Sequence, residues 1–263
     1  FVVHEEPAAG RVTAYTFFLE DDARLRATYM ERTKAYIAMY EEMIGPYPYE
    51  KLAQVQSTTR IGGMENSSAI FYSERSFQGE IIREGPVPHE IAHQWFGNLV
   101  TPSDWRYLWL NESFATFVGR AGAIRFFCGL EGEQPTPDCG TARRRWDDYQ
   151  EFSVALGAFV SELEGIYESD SLDAVGKVMA REELFQATKE ETERLEGVRE
   201  FSPLWLGFLN RPLNNAVLLA RVRYFHRLPD FQAFLETNDG DLRAAVDALT
   251  EVAPGAPDPF DVL

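Results

Sequence analysis

The chain has 263 residues, 45% of them hydrophobic, with 19 Phe, 11 Tyr and 5 Trp; this is enough apolar mass for one large domain or two small ones and excludes disorder. A net charge of −17 without any cluster of Lys and Arg excludes a nucleic-acid partner, because phosphate binding needs concentrated positive charge. No run approaches the roughly 18 apolar residues of a membrane span, and the first twenty residues lack the ordered regions of a signal peptide, so the chain reads as soluble with its compartment undetermined.

The chain begins at Phe1, with extended-looking "FVV" and "VTAYTFFL" on either side of the turn-like "EEPAAGR". Residues 1–20 read as remnant strands of an N-terminal β-domain, as if cut from something larger. From Asp22 to Met43, Leu25, Tyr29, Tyr36, Ile37 and Tyr40 recur at three-to-four spacing, which predicts an amphipathic helix that "IGPYPYEK" ends. "LAQVQSTTRIGGMENSSAIFYS" then reads as two extended runs joined through Gly62-Gly63, a sheet with a loop at its edge.

Pro88 predicts a helix starting near His89 and ending before Gly97-Asn98, and "WLNESFATFVGRAGAIRFF" predicts a second, entered through "TPSDW". A polar loop follows from Gly129 to Asp138. Cys128 and Cys139 flank it with ten residues between them, a spacing that a disulfide could span but that matches no zinc knuckle; the expectation is two unrelated thiols. From Trp146 onward the patterns are helical, in "EFSVALGAFVSELEGI", "SLDAVGKVMAREELFQATKEETERL", "LNNAVLLARVRYF", "LPDFQAFLETN" and "GDLRAAVDALTEV". The fold class is therefore α+β, mostly helical in its C-terminal half.

The chemistry concentrates in "HEIAH". The chain has four histidines, and two of them, His89 and His93, stand four residues apart with Glu90 directly after the first. On a helix, residues i and i+4 share a face, so both imidazoles can reach one ion while Glu90 leans over its open side. A hydrolytic zinc site wants a third protein ligand, and Glu112 follows after eighteen intervening residues, enough to turn a helix back on its neighbour.

With "GGMEN" at Gly62 to Asn66, "HEIAHQWFGN" at His89 to Asn98 and "WLNESFAT" at Trp109 to Thr116, the chain resembles the M1 zinc aminopeptidases of the gluzincin clan. The likeness is strongest from about Ile44 to Thr116 and returns weakly in "RPLNNAVLLARVRYF". It implies a thermolysin-like catalytic domain over residues 21–200 and a helical C-terminal segment over 201–263. It further implies one Zn2+ held by His89, His93 and Glu112, with Glu90 taking a proton from the metal-activated water and passing it to the leaving amine. Glu65 would grip the free amino group of a peptide, and the glycines at 62 and 63 would let the backbone lie along it, with Met64 and Asn66 completing the loop. The implied activity is hydrolysis of the amino-terminal peptide bond.

Metal-bound histidines usually donate their other N–H to an acceptor, a role open to Thr116 or Asp104. Trp95, Trp105 and Trp109 are expected to pack the two motif helices together. The family's Tyr-x-Lys-Gly-Ala pattern, whose tyrosine serves the oxyanion, has no counterpart here; "VALGAFVSEL" would put Val154 at that position, leaving Tyr149 as the candidate and Tyr167 as a substitute. Losing one oxyanion donor costs about 10²–10³ in rate. Ser113 also stands where the family usually has glycine. Two rival readings follow: a weakened or inactive zinc domain that binds peptides or partners, and an endopeptidase on the same scaffold.

Overall fold

Alternation in strand β2 (Thr13–Phe18) decides which face of the sheet is covered: Ala14, Thr16 and Phe18 are buried, while their neighbours are half-exposed. A computed structural model of the chain describes residues 1–77, 86–102, 104–129, 136, 138–196, 203–209 and 211–252. Its sheet has the order β1-β2-β3-β5-β4, with β1 at Val2–Pro7, β3 at Lys51–Ser57, β4 at Gly63–Met64 and β5 at Ala69–Ser73. β1 runs antiparallel to β2, β2–β3 and β3–β5 are parallel, and the two-residue β4 closes the edge antiparallel to β5.

The parallel β2–β3 pairing needs a crossover, supplied by a 3-10 turn at Glu20–Leu25 and helix α1 (Arg26–Met43). The expected three-to-four stripe is there: Tyr29, Met30, Thr33, Tyr36, Ile37 and Tyr40 are buried. Tyr29 meets Phe18 of β2 and Tyr72 of β5 edge-on, at ring separations of 5.2 and 5.8 Å. Fully burying a side chain such as Phe18 or Ile37 contributes about 1.5–3 kcal/mol.

Helix α2 spans Val87–Ala92, begins with proline in its first turn, and is shorter than its sequence pattern predicts. His93 caps it in helical backbone, its N–H still bonded to the His89 carbonyl at 3.1 Å, so the i, i+4 relation survives. Helix α3 (Leu108–Cys128) follows a 3-10 turn at Trp105–Tyr107. Trp95 is buried against Tyr40 and Tyr47 and donates to the Gly45 carbonyl, as a packing residue should. Trp105 is not: it is 85% exposed, because the turn that carries it lies ahead of the helix rather than on its packed face. The Trp109 side chain lies outside the described residues.

Cys128 and Cys139 form a disulfide, correcting the expectation of unrelated thiols. The last residue of α3 and the first of α4 (Cys139–Glu168) meet at a Cα separation of 4.7 Å, a proximity set by the fold on both sides of the loop. Most of the polar stretch between them lies outside the described residues.

The later helices are α5 (Ala174–Glu196), α6 (Pro203–Leu209), α7 (Asn215–Phe225), α8 (Leu228–Thr237) and α9 (Leu242–Val252). All but the short α6 follow the predicted patterns. The chain divides into two compact units, Phe1–Arg143 with Asp230–Leu263, and Arg144–Pro229. In the first, Phe231 packs on Phe114 and Phe117, and the Arg243 guanidinium donates to the Glu41 and Glu42 carbonyls, satisfying the C-terminal end of α1. In the second, Phe152 gathers Trp205, Phe208 and Phe225 around itself at 5.0–5.5 Å. No helix among the described residues is long and apolar enough to cross a membrane.

Candidate metal centre

Helix α2 is fastened before any ligand is considered. Fully buried Tyr40 of α1 donates to the Pro88 carbonyl at 3.0 Å, and α3 crosses so closely that a Cβ on Gly119 would meet the His89 backbone at 3.0 Å. Glycine at that crossing lets the two helices touch backbone to side face. Gly119 lies seven residues after Glu112, and Thr116 four after it, so all three share the face of α3 turned toward α2.

On that shared face His89 Nε2 and His93 Nε2 lie 3.0 Å apart, and Glu112 Oε2 lies 3.3 and 3.2 Å from them. Zinc bonds of about 2.0–2.1 Å in tetrahedral geometry place neighbouring donor atoms about 3.3 Å apart. The triangle therefore has the size of one face of a zinc tetrahedron, and two imidazole nitrogens with a carboxylate oxygen are a donor set that zinc accepts. All three side chains are mostly or fully withdrawn from solvent.

Electrostatics follow from that crowding. Burial opposes charge on Glu112, but hydrogen bonds from His89 and His93 outweigh it and hold its carboxyl well below the usual carboxylate range. For His93, burial again works against the charged form, and the hydrogen bond and charge of Glu112 reverse the balance, raising its pKa. His89, desolvated and facing His93, is pushed down. Glu90 is 5% exposed and is pushed up to about 8, by burial first, with Glu65 and Glu112 adding to it and His93 opposing.

The outer nitrogens are held unequally. His93 Nδ1 lies 2.9 Å from the Phe96 carbonyl oxygen and 3.2 Å from Asn111 Oδ1; both accept, so Nδ1 carries the proton and Nε2 faces the cluster. His89 Nδ1 reaches Thr116 Oγ1 at 3.5 Å, the limit of a hydrogen bond. Asp104 uses its main-chain carbonyl on the Tyr107 N–H. Sequence reasoning missed Asn111 and the Phe96 carbonyl; the one signal for Asn111 is its place directly before Glu112.

The Gly62–Asn66 segment enters at the sheet edge. Gly63 and Met64 pair with Tyr72 and Phe71, and the Gly62 carbonyl accepts from Ser76 Oγ at 2.8 Å. A Cβ on Gly63 would fall 2.1 Å from Glu90 Oε1, so the bare backbone there is what seats the Glu90 carboxyl. Carboxylate oxygens of Glu65 and Glu90 and a ring nitrogen of His93 lie within 4.8 Å of one another. Tyr149 lies on α4 in the second unit with its ring against Phe225, and the Tyr167 hydroxyl there pairs with the Asn215 amide.

Residues 28–135 match the Peptidase family M1 domain. The chain is 35% identical over 104 residues to Leucine aminopeptidase 2 of Yarrowia lipolytica, covering 39% of this chain and 16% of that protein. It is 33% identical over 153 residues to Tricorn protease-interacting factor F2 of Thermoplasma acidophilum, covering 54% and 17%. Against Aminopeptidase B of Rattus norvegicus it is 36% identical over 87 residues, covering 32% and 13%. The chain thus spans less than a fifth of the length of these curated relatives. The crystal structure of a two domain M1 zinc metallopeptidase bound to L-arginine overlays on 93% of this chain and 51% of its own, at 18% identity and a TM-score of 0.40.

Proposed function

We propose that the M1 domain is the catalytic part of a zinc metallo-aminopeptidase, with one zinc ion held by His89, His93 and Glu112. The observation that carries the reading is the donor triangle of 3.0–3.3 Å with the buried Glu90 carboxyl beside it. Zinc bound there would polarise a peptide carbonyl and ease proton loss from water.

The chain's own groups supply the rest. Glu90 takes a proton from the attacking water and returns it to the leaving amine; its raised pKa suits a group that must both accept and give. Glu65 stands close enough to Glu90 and His93 for its carboxylate to meet a substrate ammonium, which would select the first peptide bond. β4 is an edge strand of two residues, and Gly62 to Asn66 would offer main-chain groups to an extended peptide.

Short peptides with the amino terminus free or acetylated test this on the zinc-loaded chain, beside Glu90→Gln. Cleavage of free-amine peptides alone, lost in the variant with zinc retained, is the expected result. Cleavage of acetylated peptides favours the endopeptidase reading. Zinc binding without cleavage favours a weakened, peptide-binding domain, a reading supported by the missing Tyr-x-Lys-Gly-Ala pattern.

A further inference from the structure

The segment after β4 carries Glu65, yet from Glu65 to Ser68 it lies outside the strands, tied to β3 only at its far end, where the Ser68 carbonyl accepts from the Ala53 N–H at 3.0 Å. It turns back through an Asn66–Ala69 turn, closed by the Ala69 N–H on the Asn66 carbonyl at 2.9 Å, with Ser68 in the left-handed region at φ 62°. Something other than a β-ladder must set how far residue 65 stands from the metal ligands.

Two side-chain amides do so. Gln94, next to His93 and fully buried, donates through Nε2 to the Glu65 carbonyl at 3.2 Å and accepts at Oε1 from the Ser68 N–H at 2.8 Å. It spans the turn as a strand's peptide group would. The Tyr47 hydroxyl holds the same Oε1 at 3.4 Å. Asn98 Nδ2 donates to the Glu65 carbonyl as well, at 2.5 Å, while the Asn98 N–H bonds the His93 carbonyl at 3.1 Å. Both amides thus belong to the segment that carries His93, and both end on the one backbone oxygen of Glu65.

We propose that Gln94 and Asn98 are positioning residues that gauge the Glu65 main chain against His93, and so set the distance between the carboxylate that meets the substrate amine and the metal ligands. The proposal rests on the reading of Glu65 as the amine anchor. It makes amino-terminal selectivity a property of the turn that follows His93 rather than of the sheet edge alone.

The test compares zinc-loaded wild type, Asn98→Asp, Gln94→Met and Glu65→Gln on leucine and arginine anilides with the amino group free or acetylated. Zinc affinity is read by chelator competition and the 62–69 segment by amide hydrogen exchange. Asn98→Asp and Gln94→Met should raise KM for free-amine anilides about tenfold while kcat stays within about threefold and zinc affinity within about twofold. Exchange at the Ser68 N–H should quicken in Gln94→Met. Should the chain turn over no anilide, the same ranking is read from calorimetric binding of leucinamide against N-acetyl-leucinamide.

An unchanged KM or binding constant in Asn98→Asp overturns the positioning role. So does a parallel fall in zinc affinity and thermal midpoint in that half-buried variant, which marks a purely structural contact. The amine-anchor reading fails by a separate sign: Glu65→Gln leaves the preference for free amines intact. A wild type that binds free and acetylated forms alike overturns both.

Discussion

The two compact units bury different kinds of side chain. The unit holding the metal-ligand candidates buries Glu90, His93, Gln94, Glu112, Ser113 and Thr116 within 27 residues of sequence, whereas the buried polar side chains described in the Arg144–Pro229 unit are Ser153 and Thr192. There the interior is aromatic, built on Phe152, Phe159, Phe185, Trp205, Phe208 and Phe225. Burying ionisable groups costs stability unless each is paired, so a cluster of them that persists in a core marks chemistry. A helical core of rings needs only packing. The contrast sets the chemistry-bearing side chains in the first unit.

Breaking the polar cluster should give the largest effects. Glu112→Ala removes one donor of the triangle and should weaken zinc binding more than about 100-fold, beyond the 10–100-fold usual for outer partners; metal analysis after dialysis against a chelator checks it. Glu90→Gln should lower kcat by about 10²–10⁴ with one zinc still bound, measured by steady-state kinetics beside metal content. Together they separate holding the metal from moving the proton.

The aromatic core should fail differently. Phe152→Ala should cost about 3–5 kcal/mol of unfolding free energy, seen in chemical denaturation followed by far-UV circular dichroism. Gly119→Val sharpens the contrast from the other side, because branched atoms would push into the His89 backbone already at contact distance. It should lower zinc affinity about tenfold, measured by chelator competition, although residue 119 is no ligand.

The mildest perturbation is a change of pH. In the metal-free protein His93 is raised to about 9. Below that value the imidazole holds a proton that must leave before Nε2 can bind a metal, so apparent zinc affinity falls as pH falls, by about tenfold per unit for one proton. Calorimetric titration in buffers of different ionisation enthalpy, between pH 6.5 and 8.5, should show proton release on binding. A flat affinity across that range would mean that Glu112 does not hold the His93 proton.

Much of the site was legible because its information is local. His89 and His93 meet through the pitch of one helical turn, and Glu112 needed only a second helix after a connecting stretch. The sequence pattern overstates the length of α2, because beyond His93 the ladder tightens, with the Gln94 and Trp95 N–H groups donating three residues back to the Ile91 and Ala92 carbonyls before the chain turns. Trp105 misled for a related reason: apolar composition says that a side chain would gain from burial, and only the path of the backbone says whether a partner is there.

The sequence by itself determined the spacing of His89, Glu90, His93 and Glu112 and the α+β succession of elements, because those depend on order along the chain. Tertiary structure alone decided that Cys128 and Cys139 pair, that Asn111 and the Phe96 carbonyl fix the His93 tautomer, and that Gln94 and Asn98 reach the Glu65 carbonyl. The longest of these contacts join residues as many as 33 positions apart. No helical or strand period connects such pairs; they meet because α1, α3 and β4 pack against α2 and bring the buried amides within hydrogen-bond reach of their partners.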